Sequence, residues 1–439
     1  LYLYRGLIFL QTRQPQQAFE PLKKALERDP GRVETYLALS YAYHSISDTV
    51  NGELYFRRAE EYEISSALGW LLRGFVLKDT PGDGAIESYN RAIALRPNFT
   101  PALEVRAFCR ADRLLVAGNR AELDPMLKDY DTWVNFQPQA SRAFAGRAVG
   151  WLKAAAYAAT QKDLLEFSSQ WIENSRADLE QALALKKDGD YNVKSIQGSF
   201  LRYINDLEGS ADAFGLANQE YYHATNTDNP AILHQQAISL HALGDLQGAL
   251  ERVERALEIW PDNRFPVPLQ RALLLAELGR LDEARAQCRT ILHPEDRNAI
   301  WLFPTTLFME LLGDFDAASE AVQQFDALTG QGASMESEGQ GRLKPALDYL
   351  MGRIDADALM QAAGTHPGLR CELAFFVALR ELAKGHREAG MAALETCKET
   401  GVYIYVQYRF TQIFQACIRS EPAWPAWISD VDTLPSGPR

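Results

Sequence analysis

The chain has 439 residues and a formal net charge of -13 at pH 7; this length is enough for about three ordinary globular domains. An acidic surface disfavours non-specific binding to nucleic acid or to an anionic membrane, so we expect neither as a partner. No uncharged apolar run reaches the length of about 18 residues that a membrane-spanning helix needs, and we expect a cytoplasmic protein.

Regularly spaced alanines and prolines mark the second helices of predicted helix pairs. Two alanines seven residues apart lie on one face of a helix, where small side chains let another helix approach closely. A proline five residues further on ends the helix, because it cannot donate the backbone hydrogen bond. This pattern occurs three times: Ala18, Ala25 and Pro30; Ala85, Ala92 and Pro97; Ala249, Ala256 and Pro261.

The stretch Leu233–Pro261 contains a complete unit. Leu233, Ala237 and Leu240 share one face of its first helix, as residues three and four apart do. Gly244 then supplies a left-handed turn at little steric cost, and the second helix follows. A single pair of this kind cannot bury its apolar face, so the copies must stack on one another.

A period of about 34 residues with these residue types resembles the tetratricopeptide repeat superfamily, in the style of bacterial arrays. The resemblance implies an all-α fold, a right-handed superhelical α-solenoid of antiparallel helix pairs. It also implies that the first helix of each pair lines a concave groove. The predicted repeats divide the chain into three regular repeats (1–99), irregular elongated helical repeats (100–229), three further regular repeats (230–332), degenerate repeats with a C-terminal capping helix (333–420), and a tail rich in proline and tryptophan (421–439).

Two segments fall outside the repeat pattern. Gly330–Gly341 is rich in glycine and serine, and we expect a mobile connection there. The tail from Glu421 has no helical period, and we expect it to lie along the last repeat or to be disordered.

The resemblance implies that the fifth, ninth and twelfth residues of each repeat face the groove. The groove residues predicted in this way are Tyr41, His44, Phe75, Lys78, Phe108, His234, Ile238, His241, Phe303 and Phe375. Their aromatic and apolar character with polar edges is typical of a site for a peptide or a partner helix. The alternative is that neighbouring helices cover these side chains in a tightly coiled superhelix.

Some members of the superfamily hold a peptide's terminal carboxylate with lysines and asparagines in this groove. The matching positions here are Leu37, Leu71 and Phe75, so we do not expect this form of carboxylate capture.

An arginine directly precedes the small residue of several first helices. The five dipeptides are Arg5-Gly6, Arg73-Gly74, Arg106-Ala107, Arg147-Ala148 and Arg271-Ala272. One interpretation is a row of guanidinium groups that binds anions or phosphopeptides. We favour pairing with acids of neighbouring helices, such as Glu60, Glu61 or Glu87, because the chain is rich in acidic residues.

The sequence contains no catalytic or phosphate-binding motif, and we expect neither enzyme activity nor a cofactor. His223, His234 and His241 lie near one another along the chain. No cysteine or acid at ligand spacing completes them, so we expect no metal site. The five cysteines are far apart and form no C-x-x-C motif, which favours small buried hydrophobes.

The sequence therefore predicts a non-catalytic protein–protein interaction scaffold that binds a peptide or partner helix. One alternative is a regulatory repeat segment of a larger bacterial enzyme or signalling protein, such as a serine/threonine kinase. Ser88–Pro97 resembles repeats found in such proteins, and Leu1 lies inside a predicted helix without a preceding methionine, which suggests an incomplete chain. A second alternative is an envelope lipoprotein adaptor, because Cys371–Cys417 is similar in layout to the closing repeats of such proteins.

Overall fold

The computed structural model describes residues 1–428 except 13, 47, 79, 81, 188–189, 264, 293–298, 331–343 and 422. These described residues form 23 α-helices, one short 3-10 turn and no β-strand. The chain divides into two compact units. The first unit is Leu1–Arg113 with Arg120–Gln139, and the second is Leu114–Asn119 with Ala140–Arg439. Over the residues searched, no helix is both long and apolar enough to cross a membrane.

The first unit consists of helix pairs in which an odd-numbered first helix packs on the even-numbered second helix that follows it. Its helices are α1 (Tyr2–Gln11), α2 (Pro15–Arg28), α3 (Val33–His44), α4 (Thr49–Glu60), α5 (Ala67–Leu77), α6 (Gly84–Leu95), α7 (Thr100–Val116) and α8 (Leu123–Phe136). The last residues of α7 belong to the second unit. First helices also pack on one another, α1 on α3 and α3 on α5.

The second unit continues the pattern and ends in one additional helix, α23. Its helices are α9 (Ser141–Ala158), α10 (Leu165–Leu185), α11 (Tyr191–Tyr203), α12 (Leu207–Thr225), α13 (Pro230–Leu243), α14 (Leu246–Ile259), α15 (Val267–Glu277), α16 (Leu281–Ile291), α17 (Ala299–Leu311), α18 (Phe315–Gly330), α19 (Lys344–Leu350), α20 (Ala356–Ala363), α21 (Pro367–Ala383), α22 (Arg387–Glu399) and α23 (Val406–Ser420).

The predicted features of the helix pair lie where the sequence pattern placed them. The paired alanines of α2, α6 and α14 are buried, and in each case the proline follows two residues after the helix ends. Gly244 ends α13 with a φ of 85°, and the Asp245 side chain then accepts a hydrogen bond from the Gly248 amide, 2.9 Å away, at the start of α14. The all-α, tetratricopeptide-like fold of antiparallel helix pairs is confirmed.

Close approach of paired helices continues through residues 100–229, the least regular part of the sequence. In α9 and α10, the Ser175 hydroxyl donates to the Ala148 carbonyl at 2.8 Å, and the Ser168 hydroxyl donates to the Ala155 carbonyl at 3.1 Å. Only small residues at the crossing let a serine hydroxyl reach the backbone of the opposite helix. The boundaries of the predicted segments remain predictions.

The end of the chain packs differently from the expected terminal cap. Helix α23 contacts its neighbours α21 and α22, but it also packs on α13, far earlier in the chain. Its apolar face, with Phe410, Ile413 and Phe414 buried, needs a wide apolar surface, and the first helices supply one. The tail continues these contacts, since the Trp427 indole donates to the Leu311 carbonyl at 2.9 Å.

Two expectations concern residues that the structure does not describe. The proposed mobile connection in Gly330–Gly341 lies outside the described residues except for Gly330, and so does the tail beyond residue 428.

Candidate functional site

An aromatic cluster with one lysine lies on the first helices of the first unit. The rings of Tyr41 on α3 and Phe75 on α5 stack with centroids 5.3 Å apart and planes inclined by 25°. The Lys78 ammonium lies 5.7 Å from the centroid of the Tyr41 ring, within cation–π distance. Tyr41 and Phe75 are partly exposed, and Lys78 is exposed. We call Tyr41, Phe75 and Lys78 the aromatic–lysine cluster; it offers an apolar surface beside a positive charge.

The packing of α5 on α6 holds the Phe75 ring of the cluster in place. The Phe75 ring meets the buried Tyr89 ring edge-on at 6.3 Å. Gly74 provides the space for Tyr89, because a Cβ atom at Gly74 would fall 2.2 Å from Tyr89 Cε1. The small residue of the predicted repeat thus fixes the position of the aromatic side chain beside it.

The other two predicted groove residues of the first unit are His44 and Phe108. His44 packs against the second helix of its pair, since a Cβ atom at Gly52 of α4 would fall 2.7 Å from His44 Nε2. Phe108 on α7 is 51% exposed. Contacts thus join three of the five groove residues predicted in this unit, and His44 packs on α4.

In the second unit, all five predicted groove residues are buried. They are His234, Ile238, His241, Phe303 and Phe375. Phe375 on α21 contacts two rings of α23, Phe410 at 6.1 Å and Phe414 at 5.7 Å between centroids. A buried side chain offers no surface to a partner, so these residues are part of the core and we do not place a docking site on them.

A set of aromatic side chains fixes α23 on the first helices of the second unit. Phe414 lies at its centre and contacts the rings of Phe308, Phe375, Phe410 and Trp424, with the shortest centroid distance, 4.8 Å, to Trp424. We call these five residues the C-terminal cluster. The chain itself therefore covers the face that the repeat pattern predicted as a binding groove in this unit.

The same face holds a buried arginine, Arg202, and a half-buried one, Arg409. Arg202 donates to the Gln235 carbonyl and side-chain oxygen at 3.2 and 2.7 Å, and Arg409 donates to the Ile404 carbonyl at 2.9 Å. Among the described residues, neither guanidinium forms an ion pair with a carboxylate. Burial, with Arg409 and Arg202 nearby, lowers the pKa of His234 to about 3. This face therefore carries positive charge although the net charge of the chain is negative. That net charge is an argument only against non-specific binding of anions.

The second unit also contains a cluster of polar side chains that the sequence pattern did not predict. His241 Nε2 lies 2.8 Å from Glu277 Oε2, and Cys417 Sγ lies 3.5 Å from Glu277 Oε1, which also accepts from the Trp424 indole at 3.0 Å. A cavity of about 520 Å³ adjoins these side chains. Burial and the nearby Glu277 raise the pKa of the Cys417 thiol. No spacing rule could have found this group, because three different helices supply its members.

The arginine dipeptides pair mainly with acids, as favoured from the sequence, but with other acids than those named. Arg106 binds Asp129 through two nitrogens at 2.9 and 2.6 Å, and Arg147 binds Asp178 through two nitrogens at 2.8 Å. Arg271 pairs with Glu254 at 3.0 Å. Each of these aspartates lies on the second helix of the pair whose first helix carries its arginine: Asp129 is on α8 and Asp178 is on α10. The sequence pattern had not indicated these positions.

No protein-family model matches the chain, and no curated protein matches it in sequence. Several solved structures are similar at low identity. A human IFIT1 dimer with PPP-AAAA has a TM-score of 0.44 and 13% identity, covering 89% of this chain and 88% of that one. The TPR protein TTC0263 of Thermus thermophilus has a TM-score of 0.39 and 18% identity, covering 48% of this chain and 99% of that one.

YrrB, a TPR protein with an unusual peptide-binding site, has a TM-score of 0.30 and 15% identity, covering 47% of this chain and 92% of that one. All of these TM-scores are below 0.5, so the fold assignment stands on the helix pairs of the chain itself. The described residues of each unit form antiparallel helix pairs, as the repeat pattern predicts.

Proposed function

We propose that the first unit is a non-catalytic scaffold whose first helices bind a short amphipathic helix of a partner protein. The observation that carries the proposal is the aromatic–lysine cluster, in which a stacked Tyr41–Phe75 pair and the Lys78 ammonium share one partly exposed surface. Aromatic side chains and a few polar groups are enriched at binding surfaces. The repeat places this cluster on two adjacent first helices.

The second unit contains an example of the proposed binding mode. There, α23 packs on the first helices α13 and α21, and its Phe410 and Phe414 rings contact Phe308 and Phe375. First helices of this repeat therefore accept an amphipathic helix that presents aromatic side chains. In the first unit, α3 and α5 pack on each other and on their own second helices, and the aromatic–lysine cluster stays partly exposed.

The lysine indicates the charge of the partner. Lys78 lies at the end of α5 beside the Tyr41 ring, where a carboxylate of a bound helix would gain a charge-assisted hydrogen bond. The favoured partner segment therefore carries an apolar or aromatic residue and, within one helical turn, an aspartate or glutamate.

A display library of helical peptides tests this proposal directly. We expect selection on the full chain to enrich peptides with an aromatic residue and a nearby acid. In fluorescence anisotropy, Tyr41→Ala and Lys78→Glu should each weaken binding about tenfold or more, as losses of about 1.4 kcal/mol at a central contact do. Lys78→Glu should also shift the preference from acidic to basic peptides.

A matched control lies on the second helix α4, where Val50 is 80% exposed. Val50→Ser should leave peptide affinity unchanged, and circular dichroism should show equal helix content in all variants. Phe108→Ser reports whether the bound segment extends to α7. Equal affinity of wild type and Lys78→Glu for the selected peptides would contradict the proposal, as would preferential binding of single-stranded RNA over these peptides.

A further inference from the structure

Three helices of the second unit end at one place and bring three metal-ligating side chains together. His241 lies in the last turn of α13, Glu277 is the last residue of α15, and Cys417 lies in the last turn of α23. One ligand atom of each side chain lies within 4.8 Å of the others. We propose that His241, Glu277 and Cys417 form a binding site for a divalent transition metal of the Zn²⁺ type. This inference is independent of the function proposed for the first unit.

The distances are close to those that a metal requires. Zinc binds sulfur, nitrogen and oxygen at about 2.0–2.3 Å, so tetrahedral ligand atoms lie roughly 3.3–3.8 Å apart. The Cys417 Sγ to Glu277 Oε1 distance of 3.5 Å falls in that range, and the His241 Nε2 to Glu277 Oε2 distance of 2.8 Å is shorter. The third separation, between the His241 nitrogen and Cys417 Sγ, is within 4.8 Å, and a bound metal would bring these two atoms into the tetrahedral range.

His241 contributes its Nε2 atom to the site. The residue is 1% exposed, and Nε2 lies 2.8 Å from Glu277 Oε2. A neutral imidazole nitrogen is the commonest metal ligand in proteins. The Nδ1 atom has no hydrogen-bond partner and lies outside the proposed coordination.

The helix ends add a field that favours a cation. The C-terminal end of a helix carries the equivalent of about half a negative charge, and the effect is strongest within the last turn. Here the last turns of α13, α15 and α23 all contribute to the site. Among the described residues, no lysine or arginine lines the adjoining cavity, whose polar members include Glu277 and Glu421.

Three protein ligands leave a fourth position for an exchangeable ligand, as in zinc sites that keep an open coordination place. The cavity of about 520 Å³ is lined by all three residues, and it provides room for a water molecule or a small anionic group there. A metal at this site also connects α23 to α13 and α15. It would therefore hold the C-terminal helix on the first helices of the second unit.

The competing explanation is a hydrogen-bond network without metal, in which Glu277 accepts from His241, Cys417 and Trp424.

Titration of the chelator-treated full chain with Co²⁺ distinguishes a metal site from a hydrogen-bond network. We expect one equivalent to bind, with a thiolate-to-cobalt charge-transfer absorption that Zn²⁺ then abolishes. Cys417→Ser should remove this absorption, and His241→Gln and Glu277→Gln should each weaken binding at least tenfold. Zn²⁺ should raise the melting temperature of the wild type but not of His241→Gln.

Cys397→Ser is the matched control, because Cys397 lies outside the proposed site and its sulfur is 3.4 Å from that of Cys371. That variant should keep both the absorption and the Zn²⁺-dependent rise in melting temperature. Circular dichroism identifies any variant that fails to fold, and the remaining two ligand variants then decide. The proposal is overturned if the wild type shows no thiolate–cobalt absorption, if the absorption persists in Cys417→Ser, or if it disappears in Cys397→Ser.

Discussion

The two units use the same helix pair but expose its first helices differently. In the first unit, Tyr41 and Phe75 stack on adjacent first helices and remain partly exposed. In the second unit, Phe375 on a first helix is buried against Phe410 and Phe414 of α23. The repeat itself does not determine whether this face is available. One additional helix, supplied by the chain, converts the face from a surface into a core.

The largest expected effect tests how much the second unit depends on that helix. Phe414 is fully buried at the centre of the C-terminal cluster, so Phe414→Ala removes contacts with four other rings and leaves a cavity. Substitutions of this kind destabilise proteins by about 3–5 kcal/mol. Urea unfolding followed by circular dichroism should show this loss in the second unit.

The partly exposed Tyr41 of the first unit provides the comparison. Tyr41→Ala should change the free energy of unfolding by only about 1 kcal/mol, because its ring already contacts water. If Phe414→Ala also costs less than about 1 kcal/mol, α23 does not stabilise the second unit and the contrast between the units fails.

The buried ion pairs give the next effect in size. In the second unit, Asp178 is bound only by Arg147 among the described residues, whereas Asp129 of the first unit is bound by both Arg106 and Arg110. Arg147→Met leaves a buried carboxylate without a countercharge and should cost about 3 kcal/mol.

Arg106→Met is the matched substitution in the first unit, and it leaves Arg110 on Asp129 at 2.7 Å. It should therefore cost at least about 1 kcal/mol less than Arg147→Met, since the carboxylate keeps one countercharge. Chemical denaturation of both variants measures the difference. Equal losses of stability in the two variants would show that Arg110 does not compensate for the loss of Arg106.

The register of the helix pairs should be equally sensitive in both units. Ala256 of α14 and Ala92 of α6 are buried at matching positions of the repeat. Replacing either alanine with phenylalanine should destabilise the protein by about 1–3 kcal/mol through overpacking. Thermal unfolding measures this, and an unchanged melting temperature for one variant would show that its helix pair has a different register.

These comparisons show which parts of the molecule could be predicted from the sequence. The spacing of Ala249, Ala256 and Pro261, with Gly244 at the turn, depends on local geometry, and such patterns fix a helix pair within about 30 residues. The Tyr41–Phe75 contact follows from the same repeat, because it joins equivalent positions of adjacent first helices.

Long-range contacts could not be predicted in this way. Glu277 and Cys417 are 140 residues apart, and nothing in the repeat pattern indicates that α23 returns to α13 and α15. The predicted groove residues Phe375 and His241 have the right residue types and repeat positions. They are buried because of a helix that follows them in the chain, and an amphipathic pattern does not state which surface it will cover.

The smallest expected effect is a pH dependence that arises from the buried face of the second unit. His234 on α13 faces Arg202 of α11, Gln270 of α15 and Arg409 of α23. Burial, together with the positive charges of Arg409 and Arg202, lowers the pKa of His234 from 6.5 to about 3. Below pH 6.5 the unfolded chain binds a proton at this histidine, whereas the folded chain does not until the pH approaches 3. The contribution to stability is thus present above pH 6.5 and is lost as the pH falls.

Between pH 6.5 and about 5.5, this one histidine should reduce the free energy of unfolding by about 1 kcal/mol. His234→Gln should remove that part of the slope in urea titrations at the two pH values, because glutamine does not titrate. His223→Gln, at an exposed histidine of α12, should retain the wild-type slope. If His234→Gln leaves the slope unchanged, His234 is accessible to protons in the folded chain. The face beneath α23 would then be open to water, and the contrast with the partly exposed surface of the first unit would fail.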